Sequence, residues 1–292
     1  MRVGVALVRA DHTWERMAEA DRRALLDACD VISIRVQGAP SLRWDALADA
    51  AKTEGVELRI HAWVGSYHDR GPLKRGSSAM TLGSADREGR ELATQAAYYG
   101  ASRAEPNVEA GLFRGPRQRA LGRYQVNPAW RDLLRWYSQG YNDPPKTSAQ
   151  LGWVGYADPA WHYPGARMSA ADRKRFDAST ISVMAYGRTV DAVRRQVRRA
   201  AFAWPGRSLC LWISPPRLDR IGRRVGDPAA VIEMVRREFS FIVTEILIYI
   251  GEDQSRKPTS PRNPLTSLIS SIKGEPSALA TLQTVADKRQ AS

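Results

Sequence analysis

The chain has 292 residues, of which 43% are hydrophobic and 26% charged, a composition typical of a folded protein rather than a disordered one. Lys and Arg total 44 against 31 Asp and Glu, so the formal net charge is +13 and polyanionic partners are favoured. The longest apolar stretch, residues 239–250, contains Glu245 and falls short of the roughly 20 residues that span a bilayer. We therefore expect no membrane partner.

Short runs rich in β-branched residues alternate with helical patterns along the chain, which is typical of βα units. Predicted strands begin at Arg2, Asp30, Val56, Gly100, Ala149, Thr180, Ser208 and Phe241. Helical patterns lie between them over residues 13–29, 41–55, 84–100, 127–141, 191–204 and 227–240. Helix starts are predicted at Ser84, at Asn127 before Pro128, and at Asp227 before Pro228.

Eight strands over about 250 residues predict an α/β fold, a closed (β/α)₈ TIM barrel. An open doubly wound sheet is the alternative, but it normally carries a glycine-rich phosphate turn, and no such motif follows any of the strands. We interpret residues 1–253 as one barrel domain and residues 254–292 as a Ser/Pro-rich tail that could dock on a partner. The Gly/Ser-rich segment 66–83 could form a lid over the barrel mouth.

Reactive groups in TIM barrels lie at the carboxyl ends of the strands, where the loops converge on one mouth. Glu105, Asn107 and Glu109 share one face of the fourth strand if it stays extended through Pro106, and Glu109 is then nearest the mouth. Paired carboxyl groups at the mouth suit glycoside hydrolysis, in which one protonates the leaving oxygen and a second activates water or attacks the sugar.

Candidate catalytic carboxylates are Glu109, Asp158 and Glu252. Aromatic and polar side chains at strand ends are candidates for substrate binding, because sugar rings stack on aromatic faces. These candidates are Trp63, Asn107, Tyr156, His162, Tyr186 and Trp212.

Each carboxylate also has a structural interpretation. Glu105 could be a lower-layer polar residue paired with an arginine, Glu109 could pair with Arg114, and Asp158 could cap the loop before Pro159. Glu245, in the middle of a strand, is better explained as buried against an arginine or facing the helices than as catalytic.

Other reaction classes have little support in the sequence. His61 and His68 could be imagined as a metal pair, but no recognised ligand spacing accompanies them, so we expect no metal and no cofactor. The two cysteines, Cys29 and Cys210, are expected to be buried free thiols, and no serine lies in a G-x-S-x-G turn.

The order of "YYGASRAEPNVEA", "LGWVGYADPAWHYP" and "ISVMAYG" resembles the glycoside-hydrolase-like TIM barrels of bacteriophage tail proteins and endolysins, including lysozyme-like ones. The resemblance covers residues 1 to about 253 through short motifs. It implies Asn107 and Glu109 in the pocket with Glu109 as the acid. It also implies Tyr156, Pro159 and His162 on the fifth loop and Met184 with Tyr186 on the floor.

The leading hypothesis is a glycosidase acting on bacterial cell-wall or surface glycan, with Glu109 as acid and Asp158 or Glu252 as its partner. The alternative is a catalytically silent barrel that serves as a structural or glycan-binding component of a virion, anchored to other virion proteins by the tail. Nucleic-acid binding rests on charge alone, because no reading helix or nucleic-acid motif is present. Either phage role places the protein in a virion or outside the cell by a route without a signal peptide, after cytoplasmic synthesis.

Overall fold

The computed structural model describes residues 1–7, 14–15, 17–36, 44–63, 82–107, 137–143, 147–152, 154–156, 180–187, 189–213, 217–218, 224–225 and 228–250. Its strands are β1 (Arg2–Leu7), β2 (Val31–Arg35), β3 (Glu57–Trp63), β4 (Arg103–Asn107), β5 (Gln150–Leu151), β6 (Val154–Tyr156), β7 (Thr180–Met184), β8 (Ser208–Ile213), β9 (Arg217–Leu218), β10 (Arg224–Val225) and β11 (Val243–Ile250). Its helices are α1 (Glu19–Ala28), α2 (Asp45–Thr53), α3 (Leu82–Tyr99), α4 (Val190–Ala203) and α5 (Pro228–Glu238), and residues 137–142 are also helical.

The main sheet closes on itself. Its strands follow the order β3-β2-β1-β11-β8-β7-β6-β4-β5, and a further pairing between β3 and β4 joins the two sides. Every pairing in this sheet is parallel, and the short strands β5 and β6 together occupy the fifth place in the ring. The fold is therefore the predicted (β/α)₈ TIM barrel, and closure excludes the open doubly wound sheet.

Side chains alternate between the two faces of each strand, as period-two geometry requires. Outward-facing side chains pack against the helices and form the main hydrophobic core, for example Val3, Val5 and Leu7 on β1 with Leu209, Leu211 and Ile213 on β8. A smaller buried cluster lies on the opposite, inward face and includes Ala6, Val31, Met184, Cys210, Trp212 and Leu247. The core thus lies mostly outside the strand ring, and the interior is left partly to polar side chains.

Each of the eight predicted strands contains an observed strand, and the helix boundaries differ by a few residues. Helix α3 begins at Leu82, so Ser84 lies inside the helix and the predicted start there is wrong. Pro228 is the first residue of α5, as predicted. Helix α4 begins one residue earlier than predicted because the Thr189 side chain accepts a hydrogen bond from the backbone N–H of Ala192 at 3.1 Å.

Several sequence-based predictions fall outside the residues described. These are the helix starts at Asn127 and Asp227, most of the proposed lid at 66–83, and the tail from residue 254. The division into a barrel domain and a tail stays a prediction. None of the helices in the described part of the chain is both long and apolar enough to cross a membrane.

Candidate functional site: the barrel interior and mouth

The amino-terminal end of the barrel interior is filled by charged side chains rather than by branched hydrophobic ones. Arg2, Glu57, Arg59 and Glu245 form what we call the ion network. Arg59 donates to both carboxylate oxygens of Glu245 at 2.7 Å and to Glu57 Oε1 at 2.7 Å. Arg2 pairs with Glu57 and, at 3.2 Å, with Glu245 Oε1. The network links three strands of the ring across its interior.

Mutual pairing keeps Glu57, Arg59 and Glu245 ionised although burial opposes their charges. Burial opposes the charge on Arg59, but its hydrogen bond to Glu245 and the nearby carboxylates outweigh burial and raise its pKa. Burial likewise raises the pKa of Glu57, yet hydrogen bonds from Arg59 and Ser102 outweigh it and lower that pKa to about 2. The pKa of Glu245 is lowered in the same way, chiefly by Arg59 acting against burial. The prediction that Glu245 is buried against an arginine is confirmed.

Glu105 lies on the inner face of β4, above the ion network, with none of its surface exposed. Its Oε1 accepts a hydrogen bond from Ser182 at 2.6 Å and lies 3.6 Å from Arg103 Nη1. A Cβ atom on Gly152 would come within 3.2 Å of Glu105 Cγ, so a glycine leaves room for this side chain. The interpretation of Glu105 as a buried polar residue beside an arginine is confirmed.

Aromatic side chains occupy the interior toward the carboxyl ends of the strands. The edge of His61 meets Trp212 with ring centroids 4.9 Å apart, Trp212 lies 6.3 Å from Tyr249, and Tyr249 lies 5.8 Å from Tyr186. His61 and Trp212 are fully buried, whereas Tyr186 and Tyr249 are half-buried. The barrel interior therefore holds charged side chains at its amino-terminal end and aromatic side chains just below the mouth.

His61 is held neutral within this layer. Burial, helped by the positive charge of Arg35, lowers its pKa to about 3. Its Nδ1 lies 3.0 Å from Ser33 Oγ, while its Nε2 and the Nε1 of Trp212 are buried without a hydrogen-bond partner in the structure. A neutral ring and an indole N–H can exchange hydrogen bonds with a neutral polar group or with water.

The structure places the predicted site residues as follows. Tyr186 lies just beyond the carboxyl end of β7 and Trp212 near the carboxyl end of β8, and both belong to the aromatic layer. Trp63, Asn107 and Tyr156 are the last residues of β3, β4 and β6, and the first two are register partners. Their side chains are outside the part of the chain described, as are Glu109, Asp158, His162 and Glu252 throughout. The catalytic and binding roles stay predictions.

Trp212 has no exposed surface. It packs among the inward-facing residues Met184, Cys210 and Leu247, so its main role in the structure is to fill the barrel interior. Of the predicted aromatic platforms whose side chains are described, Tyr186 is the one that keeps accessible surface.

Sequence reasoning missed Arg59, Arg103 and Tyr249. Arg59 and Arg103 occupy strand positions that alternate with buried Leu58, Ile60 and Ala104. Tyr249 follows Glu245 and Leu247 with period two, and this signal was present in the sequence.

Among the residues that the structure describes, no group of three or more His, Cys, Asp or Glu side chains is placed to hold a metal ion. His68, the second member of the imagined metal pair, lies outside them. Both cysteines are buried and free, as predicted.

No protein-family model matches the chain, and no curated protein matches it. Solved structures share its fold at low identity. An endo-β-N-acetylglucosaminidase from Cordyceps militaris is 10% identical with a TM-score of 0.53, over 94% of this chain and 90% of that one. An endoglucanase from Pseudomonas stutzeri is 11% identical with a TM-score of 0.56, over 93% of this chain and 92% of that one.

An L-ribulose 3-epimerase is 12% identical with a TM-score of 0.52, over 99% of this chain and 96% of that one. Because this enzyme and the two glycosidases catalyse different reactions on one architecture, the likeness shows the fold and leaves the reaction to the site. The chain has a TIM-barrel fold.

Proposed function

We propose that the chain is a glycosidase that acts on bacterial cell-wall or surface glycan by carboxylate acid/base catalysis. Glu109 is the acid, and Asp158 or Glu252 is the partner carboxylate. The observation that carries this proposal is the course of β4, which stays extended through Pro106 and ends at Asn107, in register with Trp63. Glu109 then follows two residues after the carboxyl end of a barrel strand, where TIM-barrel enzymes hold their catalytic groups.

The carboxylates inside the barrel are poor candidates for the acid. Glu57 and Glu245 are committed to arginines in the ion network, and both have lowered pKa values. A general acid needs the opposite, a carboxyl group that stays protonated until it reaches the leaving oxygen. Glu105 is fully buried and accepts from Ser182. The acid is therefore best sought in the loops, which favours Glu109.

The surroundings of the mouth fit a sugar substrate. Tyr186 and Tyr249 retain accessible surface at the carboxyl ends of β7 and β11, where their rings can stack on the CH faces of a sugar. Among the solved structures of similar fold, one acts on β-linked N-acetylglucosamine, the sugar class found in bacterial walls. The net charge of +13 favours an anionic polymer over a neutral one.

The test is release of reducing ends from purified peptidoglycan by the full-length protein. Glu109→Gln should lower kcat by about 10²- to 10⁴-fold, the usual contribution of general acid/base catalysis. Glu54→Gln, an exposed glutamate after α2, is the matched control and should leave the rate unchanged. Equal rates for Glu109→Gln and the unaltered protein would exclude Glu109 as the acid.

Asp158→Asn and Glu252→Gln, assayed in parallel, identify the partner carboxylate. Tight glycan binding by the unaltered protein without any turnover would instead identify the silent glycan-binding barrel. A distance of about 5 to 5.5 Å between the two carboxyl groups would assign retention, and about 6.5 to 9.5 Å would assign inversion.

We further propose that the protein is phage-associated and that residues 254–292 attach the barrel to other virion proteins. The support is the resemblance carried by residues 98–110, 151–164 and 181–187, together with the Ser/Pro-rich composition after residue 253. Removal of residues 254–292 should abolish incorporation into virions and leave glycan turnover intact. Incorporation of the shortened protein at the normal level would contradict the attachment role.

A further inference from the structure

Two phenylalanine side chains project into solvent. Phe202 is 88% exposed and Phe241 is 81% exposed, whereas the other large hydrophobic side chains exposed in the described part of the chain, Met1 and Tyr98, reach 40% and 49%. Such exposure leaves two large apolar rings in water, which makes this part of the surface a candidate site for a partner.

Phe202 belongs to a face of α4 that is otherwise arginine. Arg195, Arg198 and Arg199 are exposed and precede Phe202 at helical spacing, so the four side chains share one side of the helix. The opposite side, with Val193, Val197 and Ala200, is buried against the barrel. The exposed side of α4 therefore carries several arginines and one aromatic ring.

Phe241 follows the end of α5, which an ion pair joins to α4. Arg194 donates to the two carboxylate oxygens of Glu238 at 2.7 and 3.1 Å. Phe202 follows Arg194 by two helical turns, and Phe241 follows Glu238 by three residues, so both rings lie on the same side of the pair. Phe202 and Phe241 both come shortly before a strand, β8 or β11, so both lie near the amino-terminal end of the barrel, opposite the mouth.

We propose that this face, formed by Arg195, Arg198, Phe202 and Phe241, binds the surface of a membrane rich in anionic phospholipid. Arginines bind the headgroup phosphates, and the two rings insert at the headgroup and acyl boundary. Across residues 191–202 and 233–241 there are six arginines and three carboxylates. Asp191 and Glu238 pair with Arg194, and Glu238 also pairs with Arg237. The remaining field is positive.

The shape of the face favours lipid over a nucleic acid. Single strands are bound in basic grooves whose aromatic floors stack the bases. Here the arginines and the rings lie on the convex outer surface of the barrel helices, not in a groove. A planar, deformable lipid surface can contact such a convex face. Isolated rings that protrude among basic residues also differ from a protein interface, whose centre is a contiguous apolar patch with a polar rim.

This inference is independent of the proposed glycosidase activity, because the face lies on the outer surface of the barrel helices and contains none of the residues proposed for the mouth. It departs from the expectation of no membrane partner. That expectation followed from the length of apolar runs, which governs helices that span a bilayer. Attachment to a bilayer surface needs only a few inserted side chains and a basic field.

The experiment is cosedimentation of the full-length protein with vesicles of equimolar phosphatidylglycerol and phosphatidylcholine, compared with vesicles of phosphatidylcholine alone. Phe202→Ser combined with Phe241→Ser should weaken binding about tenfold or more, since both inserted rings are lost. Arg195→Gln combined with Arg198→Gln should weaken it by a similar factor and reduce its salt dependence. These side chains are exposed, so folding is not at risk.

The matched control is Arg23→Gln combined with Arg87→Gln, which removes the same charge from exposed positions on α1 and α3. This control should bind vesicles at most about twofold more weakly, because the two sites lie on other helices. Equal loss in the control and in the α4 variants would reduce the effect to net charge and overturn the proposal. Failure to bind vesicles while a single-stranded oligonucleotide or soluble wall polymer binds would overturn it in favour of that polyanion.

Discussion

Arg59 and Glu245 meet across the barrel interior, although β3 and β11 are separated in the ring by β2 and β1. Two hydrogen bonds of 2.7 Å join the guanidinium to both carboxylate oxygens, and Arg59 is 1% exposed. Because β3 and β11 share no backbone hydrogen bonds, this pair couples two strands that are not neighbours in the ring.

Glu245→Gln should destabilise the protein by about 3–5 kcal/mol, because it leaves the buried guanidinium without its main countercharge. Chemical denaturation would measure the loss. Arg87→Gln, which removes one member of an exposed pair with Glu91 at 3.8 Å, should cost less than about 1 kcal/mol.

Replacing both partners, with Arg59→Met and Glu245→Leu, should recover much of the lost stability, since no buried charge then remains unpaired. A double variant no more stable than Glu245→Gln would show that packing around the pair, rather than its charge, stabilises the barrel.

Glu57 should make stability depend on acid pH. Its folded pKa of about 2 lies below the ordinary value of 4.5, so its ionised form stabilises the fold above about pH 4.5. That contribution is lost as the pH falls from about 4.5 to about 2. Urea titrations across this window should show the difference in unfolding free energy between the protein and Glu57→Gln shrinking toward zero. A constant difference would mean that Glu57 stabilises by packing alone.

The eight strands and their closure into a barrel could be predicted from the sequence, because period-two and helical patterns show which side of each strand or helix is buried. Gly4 and Tyr249 show what pattern alone leaves open. Their strands were predicted, but their contacts could not be: Leu247, which lies near Gly4, belongs to a strand more than 200 positions away. The same holds for Arg59, whose partner Glu245 could be described beforehand only as paired with some arginine.

Gly4 should tolerate no side chain. A Cβ atom there would lie 1.9 Å from the backbone oxygen of Val31 and 3.1 Å from Leu247 Cδ2, so β1 and β2 would have to separate. Gly4→Ala should cost at least about 3 kcal/mol, at the upper end of overpacking effects.

Gly55→Ala is the comparison, because Gly55 has a φ of 70° and open space around its Cβ position. It should cost about 1–2 kcal/mol from left-handed backbone alone. Thermal unfolding would rank the two, and the reverse order would contradict the close approach at Gly4.

His61 should produce a second, higher pH window. Burial holds its folded pKa at about 3 against an ordinary 6.5, so the unfolded chain binds a proton that the folded protein excludes. Stability should therefore fall as the pH drops from about 6.5 to about 3, and His61→Gln should remove that slope. Identical slopes for the two proteins would show that the imidazole takes up its proton at the same pH in the folded and the unfolded chain.

The two thiols should resist alkylation until the barrel opens. Burial, with Asp30 nearby, raises the pKa of Cys29 to about 12, and burial with the charges of Glu105 and Glu245 raises that of Cys210 well above its ordinary value. The thiolate is the reactive form, so iodoacetamide at mildly alkaline pH should label neither thiol in the folded protein and both after denaturation. Ser240→Cys, at an exposed position after α5, should react at least about a hundredfold faster than either native thiol. Rapid labelling of Cys210 in the folded protein would mean that reagents reach the interior through the mouth, and the buried aromatic layer above the ion network would then have to open readily.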